Sequence, residues 1–124
     1  MTHTLSIILQ VILSLGLLNV WLVRAGGETS YRGGSADSLK AEFRAYGLSD
    51  VMFYLVGFLK IASAIALVVG IWLPSLVLPA AGTLVVLMLG ALSMHVKVSD
   101  PPKKSLPALL MLAMSSALVA ISSL

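Results

Sequence analysis

Cysteine is absent from this 124-residue chain, and histidine occurs only twice, at His3 and His95. Without a thiol the chain forms no disulfide, offers no thiolate nucleophile and carries no thiol–disulfide relay of its own. Two histidines and no cysteine also make a His/Cys metal site a poor expectation, so no metal ligands are assigned. Charge is scarce as well. Asp, Glu, Lys and Arg make up 10% of the residues, against 59% hydrophobic residues and a mean hydropathy of +1.05. The longest polar stretch is residues 24–50, which leaves no room for a soluble catalytic domain. Aromatic residues are few, at 6%, and no basic stripe is interleaved with them, which excludes a nucleic-acid partner.

What is present instead is four apolar runs, roughly residues 5–23, 51–73, 75–95 and 107–124. A hydrocarbon core about 30 Å thick needs about 20 apolar residues per helix, so each run is long enough to span it. The expected fold is all-α: a transmembrane four-helix bundle, one domain over residues 1–124, with the lipid bilayer as its partner. The first run is expected to be a retained span, because it is about 19 residues long and no Lys or Arg precedes it; signal peptides have shorter apolar cores and a basic start.

Seven of the eight Lys and Arg residues fall in two connections: Arg24, Arg32, Lys40 and Arg44 in the first, Lys97, Lys103 and Lys104 in the third. The second connection and both tails carry none. The positive-inside bias places loops one and three in the cytoplasm and both termini outside, in what is expected to be the cytoplasmic membrane of a prokaryote. Pro74 is expected to stop the second span, with Pro79 in the first turn of the third, and Pro107 to start the fourth.

The first loop carries a helical signal of its own. Ser35 or Asp37 is a candidate cap, and Gly47 a candidate C-terminal stop. Leu39, Phe43 and Tyr46 recur at i, i+4 and i+7 as one apolar stripe, while Lys40 and Arg44 share another face. Two readings stay open: an amphipathic helix at the membrane interface with its cations towards phosphate, or a lid packed on the bundle. Ser49 or Asp50 would cap the second span.

Lys60 is the anomalous residue. It lies about nine residues inside the second span, where a charged Lys costs about 2.5–3.5 kcal/mol on insertion scales, so it should face protein or water. Gly57 shares its face and would leave room for a neighbouring helix. At comparable depth stand Ser14, at the end of a Ser6–Gln10–Ser14 stripe, and Ser115 and Ser116. No carboxylate occurs at that depth, so the ammonium would be neutralised, hydrated, bonded to hydroxyls or reaching towards Asp50, Glu42 or Asp100. One reading makes Lys60 the anchor for a carbonyl-bearing or anionic ligand such as a quinone; the other has its stem snorkel to the headgroups. His95 and Asp100 form a second candidate cluster, either an imidazole–carboxylate pair able to move protons or a helix-capping His followed by a turn. The candidate ligand-binding set is therefore Lys60, Gly57, Ser14, Gln10, Ser115, His95 and Asp100. Trp21 and Trp72 read as interface anchors, and Asn19 as an interhelical bond. Small residues at four-residue spacing (62-66-70, 82 with 90, 113-117) allow close helix contact, within the bundle or in a homo-oligomer.

VGFLKIASAIALVVGIWLP at 56–74, GALSMHVKVSDPPKKSLPALLML at 90–112 and the loop segment EFRAYGLS together resemble the DoxX-like family of small four-span membrane proteins. The telling parts are Gly57 with Leu59-Lys60, the Gly70-x-Trp72-x-Pro74 exit, and His95 followed by Asp100-Pro101 and a basic residue. The resemblance implies association with quinone-linked redox complexes, since founding members accompany a thiosulfate:quinone oxidoreductase. A distant animal branch implies instead a role in assembling receptor proteins. Relatives that handle thiols need cysteines that this chain lacks. The expected function is a ligand-binding or accessory subunit of a quinone-linked membrane redox system, not catalytic alone, with a quinone or lipid as its ligand; the alternative is a non-catalytic assembly factor for a partner membrane protein.

Overall fold

A computed structural model describes residues 2–23, 38–97, 99–100 and 102–123, with the side chains of Thr2, Leu22, Val23, Leu39 and Glu42 left aside. Among these residues the secondary structure is helical throughout, without strands. Helix α1 (Thr2–Leu18) runs into a π-helical turn (Asn19–Val23). A short helix α2 (Leu39–Ala45) follows, then α3 (Asp50–Val69), α4 (Val77–Lys97) and α5 (Leu106–Ser122). Four helices are long and apolar enough to cross a membrane: His3–Trp21, Asp50–Val69, Pro74–Lys97 and Pro102–Ser122. The proline punctuation falls where expected. Pro74 opens a 3-10 turn after α3, Pro79 lies in the first turn of α4, and Pro107 is the second residue of α5.

The long helices close a ring, α1 against α3, α3 against α4, α4 against α5 and α5 against α1. Leu13, Leu17, Ala64, Leu67, Ala81, Leu84, Met88 and Leu118 fill its centre, each no more than 2% exposed. The opposite faces carry exposed apolar side chains such as Leu15, Phe58 and Val86. In water such a surface would aggregate; in hydrocarbon it is solvated. This is a small membrane protein built as an all-α bundle.

Both ends of the bundle are chemically distinct. The end that holds the start of α1 and the close of α5 also holds the tight α3–α4 connection. The opposite end, the loop end, holds α2 and the connection to α5, with Lys40, Arg44, Lys97, Lys103 and Lys104. Helix α2 is capped by Ser38, whose Oγ accepts from the Ala41 N–H at 3.1 Å. The expected caps, Ser35 and Asp37, lie outside the described residues. Gly47 does end it, at φ +81°, with Gly47 N–H donating to Arg44 O and Leu48 N–H to Phe43 O at 2.9 and 3.0 Å. This is the paired bond pattern of a Schellman stop, which requires the left-handed residue that glycine supplies.

Candidate functional site

The expected ligand set does not converge on one place; it divides along the bundle. Ser6 Oγ donates to Gln10 Oε1 at 2.9 Å, and Gln10 Nε2 donates to Leu67 O at 2.8 Å. Ser14 Oγ contacts both Gln10 O at 2.7 Å and Ala64 O at 3.0 Å. Thus the polar stripe of α1 ties two antiparallel helices through backbone carbonyls of α3, one and two turns beyond Lys60. Ser115 is fully buried and its hydroxyl lies against carbonyls of its own helix, Met111 O and Leu112 O. Buried hydroxyls and amides must be bonded, and α-helical carbonyls one turn away satisfy this at little cost.

Lys60 lies instead towards the loop end, its Nζ 5.4 Å from the centre of the Trp21 ring. Gly57, one turn before it, admits that ring: a Cβ at Gly57 would come within 2.6 Å of Trp21 Cζ3. The space foreseen at Gly57 is therefore filled by an indole from α1's extension. Trp21 is buried at 8% exposure, which corrects its reading as an interface anchor; Trp72, at 74%, keeps that position. Asn19, expected to bridge helices, opens the π-helical turn and is exposed.

Around Trp21 the aromatic side chains converge. Phe53 and Phe43 lie 5.3 and 5.9 Å from it and 5.4 Å from one another, and Phe43 leads on to Tyr46 at 6.4 Å. Phe43 and Tyr46 are both buried, so their side of α2 packs on the bundle, as the lid reading required. Leu39 forms part of α2, and its side chain is outside the described residues. Lys40 and Arg44 project to the other side. Arg44 donates twice to Asp50, at 3.2 Å each, and Lys40 Nζ lies 3.3 Å from Tyr54 Oη and 3.8 Å from Asp50. The hydrogen bond that Arg44 donates to Asp50 raises the Arg44 pKa above its ordinary value.

Tyr46 closes the chain of contacts onto the second cluster. Asp100 N–H donates to His95 O at 2.9 Å, and Ser99 takes a left-handed φ of 57°, so the chain turns back as the His–Asp pairing needs. Asp100 Oδ2 then lies 2.8 Å from His95 Nδ1, with both side chains nearly buried at 4% and 6% exposure. Tyr46 Oη lies 3.4 Å from His95 Nε2. A carboxylate only accepts, so Nδ1 carries the hydrogen of the bond to Asp100, and Nε2 faces the tyrosine hydroxyl. Lys104 stands 3.8 Å from the other Asp100 oxygen, and Lys97 donates to Tyr46 O at 2.9 Å. The imidazole is therefore engaged by side chains on both nitrogens, which the capping reading did not foresee. Sequence reasoning missed Tyr46 as the partner of His95 and Trp21 as the partner of Lys60. The absent Cβ at Gly57 was the available signal for the latter; nothing local to Tyr46 marked the former.

At the terminal end a partly enclosed cavity of about 290 Å³ lies between α1, the α3–α4 connection and α5. Its polar lining comes from His3, Ser6, Gln10 and Ser122, and its apolar lining includes Ile7, Val77 and Ile121. Only Gln10 of the expected ligand set reaches it. Among the described residues no group of three or more His, Asp or Glu side chains is placed to hold a metal ion.

The sequence profile of the DoxX-like family matches residues 8–118, which takes in two spans whole and most of the other two. No curated protein and no solved structure gives a significant match.

Proposed function

Because the chain belongs to the DoxX-like family, we propose that it serves as a ligand-binding or accessory subunit of a quinone-linked membrane redox system, with its ligand at the loop end. The observation that supports this reading is the buried Tyr46–His95–Asp100 series, 3.4 and 2.8 Å between successive polar atoms, beside a cluster of aromatic rings. Quinone reduction consumes protons as well as electrons, and a His held between a phenol and a carboxylate is placed to pass the protons. Phe43, Phe53 and Trp21 offer flat apolar faces to a ring, and Lys60 a donor to a carbonyl oxygen. The ligand is received under α2, on the cytoplasmic side of the bilayer.

Equilibrium binding of decylubiquinone to the purified protein in detergent tests this. The wild type binds, and Lys60→Met and His95→Gln each weaken the loop-end binding event at least tenfold while keeping the helical content of the wild type. Equal affinity in both variants would remove the loop end from the proposal.

A second reading, a non-catalytic assembly factor, is favoured by one observation on α4. A Cβ at Gly82 or Gly90 would meet nothing within 4 Å, so this small-residue face is open to a helix from another protein. Under this reading, isolation in mild detergent recovers one membrane partner in fixed proportion, and Gly82→Leu with Gly90→Leu loses it.

A further inference from the structure

We propose that the cavity at the terminal end is a second, separate binding site, for the uncharged, carbonyl-bearing head of a bilayer amphiphile. Its chemistry specifies the class of ligand. Among the described lining residues none is Asp, Glu, Lys or Arg, so the walls favour an uncharged group. Gln10 is 2% exposed and its amide is fixed from both sides, with Oε1 accepting from Ser6 and Nε2 donating to Leu67 O. An amide nitrogen carries two hydrogens, and that bond accounts for one of them. The second hydrogen of Nε2, the Ser122 hydroxyl and the His3 ring offer donors to a carbonyl oxygen.

The walls are equally selective. Ile7, Val77 and Ile121 provide apolar surface for a ring or the start of an acyl chain. Gly70 lets this wall pack closely: a Cβ there would come 2.8 Å from Val77 Cγ2 and 3.4 Å from Gln10 Nε2. A volume of about 290 Å³ lies at the lower limit of ligand sites, about 300–1,000 Å³, which fits a headgroup and not a whole lipid. The cavity also sits at the ends of the spans, lined by His3, Pro74 and Ser122. Two sources share this chemistry, the glycerol-ester region of a lipid and the carbonyls of a quinone.

The test titrates the full-length protein in detergent with dioctanoylglycerol and, separately, with decylubiquinone. Two variants address the site. Ile121→Trp fills the cavity without touching a hydrogen bond of the Gln10 network, and Gln10→Leu removes the polar wall. At least one probe binds the wild type, and its affinity falls at least tenfold in Ile121→Trp, with the melting midpoint of that variant unchanged. Gln10→Leu, where it folds, weakens the same probe. Val86→Trp, a comparable enlargement on the exposed outer face of α4, leaves binding of the same probe unaltered. Binding of dioctanoylglycerol alone identifies a lipid site and leaves the redox reading without support here. Quinone binding that responds to Lys60→Met but not to Ile121→Trp upholds the loop-end reading and overturns the cavity proposal. Failure of both probes to bind, or equal binding by Ile121→Trp, also overturns it.

Discussion

Glycine at position 57 determines where an indole can lie, and through it where Lys60 sits. With Trp21 Cζ3 only 2.6 Å from the site of a Gly57 Cβ, even alanine forces the ring to move. Overpacking of this kind costs about 1–3 kcal/mol. Gly57→Ala should therefore lower the thermal midpoint in detergent and shift tryptophan emission; an unchanged midpoint would mean that the notch is not structural. The Lys60 ammonium over Trp21 gains a cation–π contact, worth about 0.5–2 kcal/mol depending on desolvation. That offsets only part of its insertion cost, about 2.5–3.5 kcal/mol. The anomalous position of Lys60 and the polar stripe of Gln10 and Ser14 were legible from residue type and spacing. Their partners were not, because Leu67 O and Ala64 O are backbone atoms that every residue carries. A sequence marks a donor by its side chain and leaves the accepting carbonyl anonymous.

Helix α2 is seven residues long, too short to hold in isolation, so its stability comes from its ends and its docking. Ser38 and Gly47 supply the ends, and Phe43 and Tyr46 supply the docking. The exposed pairs of Lys40 and Arg44 with Asp50 add little, since such pairs contribute about 0–1 kcal/mol. Gly47→Ala, which strains a residue at φ +81°, should cost about 1 kcal/mol. Amide exchange over residues 39–46 should then accelerate while the spans remain protected; unaltered exchange in α2 would show that docking alone holds it. The helix and its glycine stop were legible from the three-and-four spacing and the turn residue. Its destination was not. An apolar stripe of the same period suits lipid or protein equally, and only the burial of Phe43 and Tyr46 distinguishes them. The same ambiguity misassigned Trp21, whose ring suits an interface and a core alike.

At the scale of the whole molecule, four long helices close a ring with an apolar exterior, and the polar chemistry collects at its two ends. The architecture was the most legible level, because four runs of about 20 apolar residues leave little choice in a bilayer. The division of the candidate ligand residues between ends was not legible, since depth counted along one helix does not fix which neighbour meets it. The functional proposal depends on which end faces the cell interior, and the positive-inside bias, applied to Lys40, Arg44, Lys97, Lys103 and Lys104 at the loop end, makes the cytoplasm the expectation for that end. The natural chain has no cysteine, so a single introduced thiol reports its own position without background. Ala45 and Ser123 are both exposed, at opposite ends of the bundle. Labelling of Ser123→Cys and Ala45→Cys with a membrane-impermeant maleimide is the most direct measurement. The account predicts that Ser123→Cys reacts on intact cells and Ala45→Cys only after the membrane is opened; reaction of Ala45→Cys on intact cells would contradict it.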